Sequence, residues 1–449
     1  MRRLLPYIVT FALGWLAGSC LGAPRDEVRA AVADLANNVP QEDWASTRYL
    51  SLSNIEPKNR SELVSVVGYV TNALGSSAVI AEPKVVGDLI RIDLRALRIH
   101  PDLFEPLASD DPYYHQQTLF LDPATGKTKT GFTDGGWIPR EKAAQLYLMT
   151  ASRAGILRSD WFVAKAFSPP HYYRLAQVPS KLDDFYKIFA VDAKTQAALR
   201  ANKGASVFRS GVTHKPRRIS RWQTPIGPAW VTYDFRESTD PSRHPIRVPN
   251  FEFKHDASEH IAAKANGLHL YALYDDKGAR QDEVPPDIAH DTTALGNDQR
   301  LRAGGSCIRC HQEGGFRSFD NDFAKLVGPG KADLHLPADQ SDYIAAFNDV
   351  ERTLKLLSRD REDFEASVKK ATGGLTSTEL SKAYAAVYAR YEHDQVDTAI
   401  AMRDLGADTL DPLKASTDPI VLAVLSGIQV NRKDWELSYG PAATIMGAQ

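Results

Sequence analysis

Two kinds of hydrophobic spacing alternate along the chain. Intervals of three and four residues, typical of one face of a helix, separate Leu63, Val66, Val67 and Val70. A period of two, typical of a strand with one face in water, places Ile90, Ile92 and Leu94 opposite Arg91 and Asp93. Because neither spacing dominates, the pattern predicts an α+β fold.

Further elements are predicted where similar spacing meets capping or breaking residues. Helices are expected in 26–39, 141–155 and 180–192, the last with Ser180 as its N-cap. Residues 228–235 alternate as a strand, and Asn266-Gly267 between two extended runs is a strong signal for a hairpin. The polar, basic segment 210–223 is predicted to be a loop, and Pro169-Pro170 to interrupt regular structure.

After Gly330 the spacing becomes entirely helical. A helix is expected in 341–372, with Ile344, Phe347, Val350 and Leu354 on one face and Gly373-Gly374 at its end. Thr376 and Glu379 are spaced as a capping box for the next helix. The aromatic stripe of that helix, which is interpreted as core, comprises Tyr384, Val387, Tyr388 and Tyr391.

The expected organisation has four parts: a leader at 1–23, an N-terminal α+β region at 24–140, a central region with β-hairpins at 141–335, and an all-α module at 336–449. The 449 residues are 43% hydrophobic and 24% charged, which is ordinary for a globular protein. A net charge of −2 predicts no binding to nucleic acid and no basic membrane patch.

The N-terminus has the layout of a secretory leader. Two arginines precede an apolar run at 4–17, and small residues follow. Three outcomes remain open: lipidation of Cys20 in an imperfect lipobox, cleavage near Ala23, which Pro24 disfavours, or retention as a membrane anchor. The protein is therefore expected to be exported, either free in the periplasm or attached to the membrane and facing it.

Two of the three cysteines lie three residues apart, and a histidine follows the second. This C-x-x-C-H pattern is the attachment sequence of c-type haem. A short helical turn presents both sulfurs to one edge of the porphyrin, where they bond to its two vinyl groups, and the imidazole can then bind the iron. A single motif predicts one covalent haem c in the central region, with thioether anchors at Cys307 and Cys310 and the proximal iron ligand at His311.

Other roles for a close pair of cysteines fit less well. A thioredoxin-like pair is expected between a strand and a helix, and residues 302–306 make a poor strand. A structural zinc site needs four ligands, usually with a second pair at similar spacing, and the chain has no second cysteine pair.

The second axial ligand is harder to choose. The methionines are weak candidates, because Met149 and Met402 fall within predicted helices and Met446 is close to the chain end. Histidines are more plentiful, and the candidates are His255, His260, His269, His290 and His335. If one is chosen it is His255, which shares a strand face with Phe251 and Phe253; an open or water-bound sixth position is the alternative.

Together with CIRCH, several segments resemble a largely uncharacterised family of large, exported, bacterial monohaem cytochrome c domain proteins. The segments are 48–55, 89–97, 157–175, 209–222, 230–235, 253–273, 282–291 and 304–314. The resemblance implies haem c and export, and it implies no substrate.

Individual positions both match that family and depart from it. His255, Glu259 and the turn at 266–268 match its pattern, whereas Trp222 stands where the family carries a histidine. Glycines of the family are replaced by Ala257 and Ser258. If the missing histidine is the family's distal ligand, the choice of His255 fails.

Three functions follow as hypotheses. The first is electron transfer to an unknown redox partner by a haem with two protein ligands. The second is a peroxidase-like enzyme or small-ligand sensor with an open iron, in which His255, His260 and Glu259 supply the distal groups. The third is an interaction module that haem stabilises and whose C-terminal helices recruit a partner. Whether the protein is an enzyme, and its oligomeric state, are left open.

Overall fold

The computed structural model describes residues 24–113, 140–152, 155–189, 204–207, 217–236, 254–285, 287–294, 299–317, 319 and 348–447. Its helices are α1 (Pro24–Asn38), α2 (Pro57–Leu74), α3 (Leu94–Leu97), α4 (Pro101–Ser109), α5 (Arg140–Thr150), α6 (Ser159–Ala166), α7 (His171–Leu175), α8 (Leu182–Ile188), α9 (Gly305–Cys310), α10 (Val350–Thr372), α11 (Ser377–Glu392), α12 (Thr398–Leu405), α13 (Pro419–Leu425) and α14 (Arg432–Gly447). Its strands are β1 (Thr47–Ser51), β2 (Lys84–Val86), β3 (Leu89–Asp93), β4 (Ile156–Arg158), β5 (Ala205–Val207), β6 (Arg217–Gln223), β7 (Pro228–Asp234), β8 (Ala257–Ala263), β9 (His269–Asp275), β10 (Glu283–Val284) and β11 (Leu301–Arg302). The α+β class is confirmed.

A four-stranded sheet of order β2-β3-β1-β4 organises the first part of the chain. β1 runs antiparallel to β3 and parallel to β4. The predicted helical face of α2 is buried, as are Ile90 and Ile92 of β3. β3 ends at Asp93, whose carboxylate accepts a hydrogen bond from the Ala96 amide and begins α3. Leu94 therefore belongs to a helix and not to the predicted strand.

A five-stranded antiparallel sheet, of order β5-β6-β7-β8-β9, forms the second layer. The hairpin predicted at Asn266-Gly267 joins β8 to β9, and Gly267 adopts a φ of 78° that favours glycine. Side chains on opposite faces of this sheet meet different elements. One face carries Arg217, Trp230, Glu259 and Tyr271, and the other carries Trp222, His260 and Tyr274.

Two local predictions for this part of the chain are wrong. Residues 217–223 of the expected basic loop form strand β6, because Arg217 and Ile219 alternate with Arg218 and Ser220 against β7. Helix α8 begins at Leu182 after Lys181 and has no side-chain cap, so Ser180 is not its N-cap. The interruption at Pro169-Pro170 is confirmed, because it separates α6 from α7.

The chain from 348 onward is helical, as predicted. α10 begins only at Val350, where the Asp349 carboxylate accepts from the Arg352 amide, and ends at Gly373 in the left-handed conformation. Ile344 and Phe347 lie outside the described residues. The capping box of Thr376 and Glu379 is present at the start of α11.

The C-terminal helices pack directly on the earlier layers. α10 and α11 both lie against α2, and α11 also contacts α6 and α9. One buried hydrophobic cluster includes residues from before 140, from 141–335 and from after 348. The proposed boundaries stay predictions, and position 335 is outside the described residues. Within the part of the chain that is described, no helix is both long and apolar enough to cross a bilayer.

Removal of the N-cap hydroxyl by Thr376→Ala is expected to lower the free energy of unfolding by about 1 kcal/mol. The Thr376 hydroxyl accepts from the Glu379 amide, and the Glu379 carboxylate accepts from the Thr376 amide at 2.8 Å. Chemical denaturation followed by circular dichroism measures the change. Thr376→Ser, which keeps the hydroxyl, is the matched control, and equal midpoints for the two variants would contradict the expectation.

Candidate functional site

The two cysteines of the C-x-x-C-H motif lie on a six-residue helix, α9, and the histidine directly follows its end. Gly304 precedes the helix with a φ of 85°, and a Cβ at this position would come within 2.5 Å of the Phe167 carbonyl oxygen. A Cβ at Gly305 would lie 2.7 Å from the Tyr384 hydroxyl. The two glycines therefore allow α9 to approach α6 and α11 at a distance that a side chain would prevent.

Cys307 and Cys310 are both free, and both border the same cavity. Burial raises the pKa of the Cys307 thiol well above its ordinary value and that of Cys310 to about 11. Reactive dithiols of the thioredoxin kind have lowered pKa values, because the thiolate is the nucleophile. The surroundings of this pair therefore keep both sulfurs protonated and disfavour thiolate chemistry.

His311 follows the end of α9, and its amide donates to the Cys307 carbonyl at 2.8 Å. Its ring borders the cavity and lies nearly parallel to Tyr271, with 6.2 Å between ring centroids. Burial lowers the pKa of His311 to about 4, so the imidazole is neutral at pH 7, which is the form that binds a metal. The Nδ1 atom is enclosed and has no hydrogen-bond partner.

The cavity beside the motif lies between α9 and the β8–β9 hairpin. About 490 Å³ of its space is not filled by atoms, and part of this opens to solvent. Its walls are mostly apolar, and the lining residues used below are Arg217, Glu259, Ile261, Leu273, Leu301 and Arg317. The enclosed part is narrow, so a group as wide as a porphyrin requires the surrounding side chains to move apart.

A buried ion network forms the polar part of this wall. The Arg217 guanidinium contacts the Asp234 carboxylate at 2.5 Å and the Glu259 carboxylate at 2.9 Å. Burial opposes the charge of Arg217, but the two carboxylates outweigh this effect and raise its pKa. One oxygen of Glu259, Oε1, is enclosed without a hydrogen-bond partner. The wall thus presents an acceptor that no described donor satisfies.

A second ion pair holds α9 from its other side. The Arg309 guanidinium donates to the Asp291 carboxylate at 2.6 Å and lies over the Tyr388 ring at 5.0 Å. Burial opposes this charge, yet Asp291 raises the pKa of Arg309. Asp291 and Thr293 also lie 3.8 Å from the Cys310 sulfur. Arg309, the second variable position of C-x-x-C-H, is therefore bonded to the segment 287–294.

The structure does not bring His255 into the cavity. His255 precedes β8, is half-buried, and packs against Tyr233 with 5.0 Å between ring centroids. Tyr233 lies opposite Ser258, on the sheet face that points away from Glu259. The assignment of His255 as distal ligand stays a prediction without support from this geometry.

His260 borders the cavity, but its ring belongs to an aromatic cluster on the far face of the sheet. The ring is 5.4 Å from Phe185 and 5.5 Å from Tyr274, measured between centroids. Burial lowers its pKa to about 3. A neutral histidine among aromatic side chains acts as a packing residue. Of the expected distal groups His255, His260 and Glu259, it is therefore Glu259 that borders the cavity from the sheet face that carries Arg217.

The remaining candidates are not brought to the cavity. His269 is buried, stacks on Phe364 at 3.9 Å and hydrogen-bonds the Gly315 backbone. His290 is half-buried outside the cavity wall, and His335 lies outside the described residues. Met149, Met402 and Met446 lie in α5, α12 and α14, none of which lines the cavity.

Sequence reasoning missed the partners that come from distant parts of the chain. Arg217 lies in the segment that was predicted to be a basic loop, so its place in a strand beside the cavity was not foreseen. Asp291 had only the weak signal of belonging to a resembling segment. Tyr384 and Tyr388 were expected as core, and their contacts with Gly305 and Arg309 were not foreseen.

The surroundings of the motif differ from those of the rival cysteine sites. β11 precedes α9 but pairs antiparallel with β10, so the described residues contain no βαβ unit here. Among the described residues, no group of three or more His, Cys, Asp or Glu side chains is arranged to hold a metal ion.

In the comparisons with known proteins, no family model, no curated protein and no solved structure matches the chain.

Proposed function

We propose that this protein is an exported, monohaem c-type cytochrome that holds its haem covalently and transfers electrons to a redox partner. One observation carries the proposal. Two free thiols on one short helix and the neutral imidazole that directly follows it, in C-x-x-C-H order, border one cavity. This donor set suits a porphyrin, which needs two thiols spaced along one edge and one nitrogen ligand.

The residues at the cavity have separate roles in this proposal. Cys307 and Cys310 would anchor the haem, and His311 would bind its iron. The apolar wall formed by Ile261, Leu273 and Leu301 would lower the local dielectric constant around the haem, which tunes its redox potential. When bound, the haem supplies a metal that changes its charge by one electron.

The charged residues of the wall would orient the group. Arg317 is exposed and donates to the Thr292 hydroxyl at 3.2 Å, so its guanidinium remains accessible to a second partner. A porphyrin carboxylate is the anion suited to it. Arg217 is already committed to Asp234 and Glu259, and it positions the Glu259 carboxylate instead.

The test is made on the full chain exported in a host that matures c-type cytochromes. The purified protein is expected to show a reduced-minus-oxidised spectrum of haem c and an intact mass one haem greater than that of the mature polypeptide. The colour should remain with the protein after acid–acetone extraction. A bare polypeptide mass would end the proposal.

A second function, a haem enzyme or small-ligand sensor, is favoured by Glu259. The enclosed and unpaired Oε1 of Glu259 lies in the wall of the same cavity, where it can accept a hydrogen bond from a small protic ligand. A carboxylate placed so can also act as a general base. This geometry distinguishes the cavity from a purely apolar one.

Carbon monoxide and the variant Glu259→Gln separate the two functions. If two protein ligands hold the iron, carbon monoxide binds slowly to the reduced protein and Glu259→Gln leaves the rate unchanged. If the sixth position is open, binding is fast, and loss of the general base lowers the rate of reaction with peroxide by about 100-fold or more. Stopped-flow absorption measures both rates. Asp287→Asn, at an exposed carboxylate that pairs with Arg236, is the control.

A further inference from the structure

Helix α11 supplies hydroxyl groups to the end of the C-x-x-C-H helix. The last carbonyls of a helix have no partners within it, so they must be satisfied from outside. The Ser381 hydroxyl donates to the Arg309 carbonyl at 3.3 Å. The hydroxyls of Ser377 and Thr378 both donate to the Gln312 carbonyl, at 2.9 and 3.0 Å. The bonded carbonyls thus lie on both sides of His311.

The Ser377 hydroxyl both donates and accepts a hydrogen bond. While it donates to Gln312, its oxygen accepts from the Gly314 amide at 2.8 Å. The Ser377 amide itself donates to the Glu365 carboxylate of α10 at 3.1 Å. Because a hydroxyl has one proton, these contacts define its orientation. Ser377 therefore connects α10, α11 and the turn that follows His311.

The same face of α11 continues along α9. Positions 377, 381, 384 and 388 follow the spacing of one helical face. Tyr384 lies against Gly305, and Tyr388 lies beneath the Arg309 guanidinium. The contact thus extends from the first residue of the motif helix to the turn after His311, and it is made by a segment predicted to be a separate module.

We propose that α11 is part of the haem site, with Ser377, Thr378 and Ser381 as positioning residues that fix the orientation of the His311 imidazole. This inference rests on the proposed function. Groups that orient a metal ligand tune the properties of the metal. The turn on both sides of His311 is pinned by side chains of α11, so the imidazole plane is set from a part of the chain more than sixty residues away.

The test compares the variant Ser377→Ala/Thr378→Ala/Ser381→Ala with Ser438→Ala in the full haem-loaded chain. Ser438 is a buried serine of α14 whose hydroxyl donates to Asp418, so its loss affects stability without removing a hydrogen bond to α9 or to the turn after it. In the triple variant, the Gly314 amide is expected to exchange with deuterium about tenfold faster, since it loses its acceptor. The ferric electron paramagnetic resonance lines should broaden and the midpoint potential should shift.

The outcomes are distinguishable. Unchanged resonance lines and potential in the triple variant would overturn the inference, whatever happens to its melting temperature. Should the triple variant not fold, Ser381→Ala is the milder test, because the Arg309 carbonyl keeps its hydrogen bond from the side-chain amide of Gln312 at 2.7 Å. Thr378→Ser, which retains a hydroxyl, should behave as the unmodified protein. A wild-type chain that carries no haem would instead refute the proposed function itself.

Discussion

Replacement of both Cys307 and Cys310 by alanine is expected to give a protein that carries no covalently bound haem. Cys307 and Cys310 are the cysteines that border the cavity. The third cysteine of the chain, Cys20, lies in the expected leader. Without thioether bonds, only the iron–imidazole bond could retain the group, and acid–acetone breaks that bond. The pyridine haemochrome spectrum and the intact mass measure the loss, which should be complete.

The single variants Cys307→Ala and Cys310→Ala sharpen this test. Each leaves one sulfur, so each should retain haem through one thioether, with the pyridine haemochrome band displaced toward that of a haem with one intact vinyl group. Cys20→Ala is the matched control and should keep the full haem content. Colour that survives extraction in the double variant would show that some other residue holds the haem.

The motif and the hairpin could be predicted because their signals are local. Cys307, Cys310 and His311 are three positions within five residues, and Asn266-Gly267 encodes its turn by backbone preference alone. Capping boxes have the same property, which explains why Thr376 and Glu379 were identified correctly. Such signals need no knowledge of the rest of the fold.

The remainder of the site depends on contacts between distant segments. Arg217, Asp234 and Glu259 come from three neighbouring strands, and their pairing follows from the register of the sheet, which the sequence does not display. The loop prediction is wrong for 217–223 for this reason, and 210–216 lie outside the described residues. In the sequence, a strand that contains several arginines resembles a solvated loop, because the carboxylates that pair with Arg217 lie in other strands.

The separation of a C-terminal module was predicted from the change to helical spacing after Gly330. Such spacing shows where helices form but not what they pack against. Hydroxyls of α11 bond to the backbone of α9 and the turn that follows it, so a chain cut at 341 would lose contacts on both sides of His311. The hypothesis that these helices recruit a partner stays a prediction, and their contacts with α9 give them a structural role beside it.

A buried ion network outside the cavity beside α9 also connects the C-terminal helices to the central region. The Asp404 carboxylate accepts from the Arg158 guanidinium at 2.6 Å, from the Arg432 guanidinium, and from the Trp435 indole at 3.0 Å. Arg158 in addition pairs with Asp160 at 2.7 Å. Burial opposes the charge of Arg158, but the carboxylates of Asp160 and Asp404 raise its pKa well above the ordinary value. The Asp404 carboxylate likewise outweighs burial and raises the pKa of Arg432, so both arginines are charged inside the protein.

The variant Asp404→Ala is expected to lower the free energy of unfolding by about 3–5 kcal/mol, the usual cost of removing one partner from a buried ion pair. The side chains of Arg158 and Arg432 are each only 5% exposed, so loss of the carboxylate leaves both guanidinium groups largely buried. Arg158 keeps Asp160, whereas Arg432 loses the described carboxylate that pairs with it. Denaturant unfolding measured by circular dichroism and by haem absorbance gives the change.

Asp408→Asn provides the matched control, because Asp408 is an exposed carboxylate just after α12 and its loss should change the stability by no more than about 0.5 kcal/mol. The comparison also tests whether the haem site and the C-terminal helices unfold together. If they form one cooperative unit, Asp404→Ala displaces the circular dichroism and haem transitions by the same amount. A displaced circular dichroism transition with an unchanged haem transition would mean that the helices after 348 unfold independently, although they hold the turn around His311.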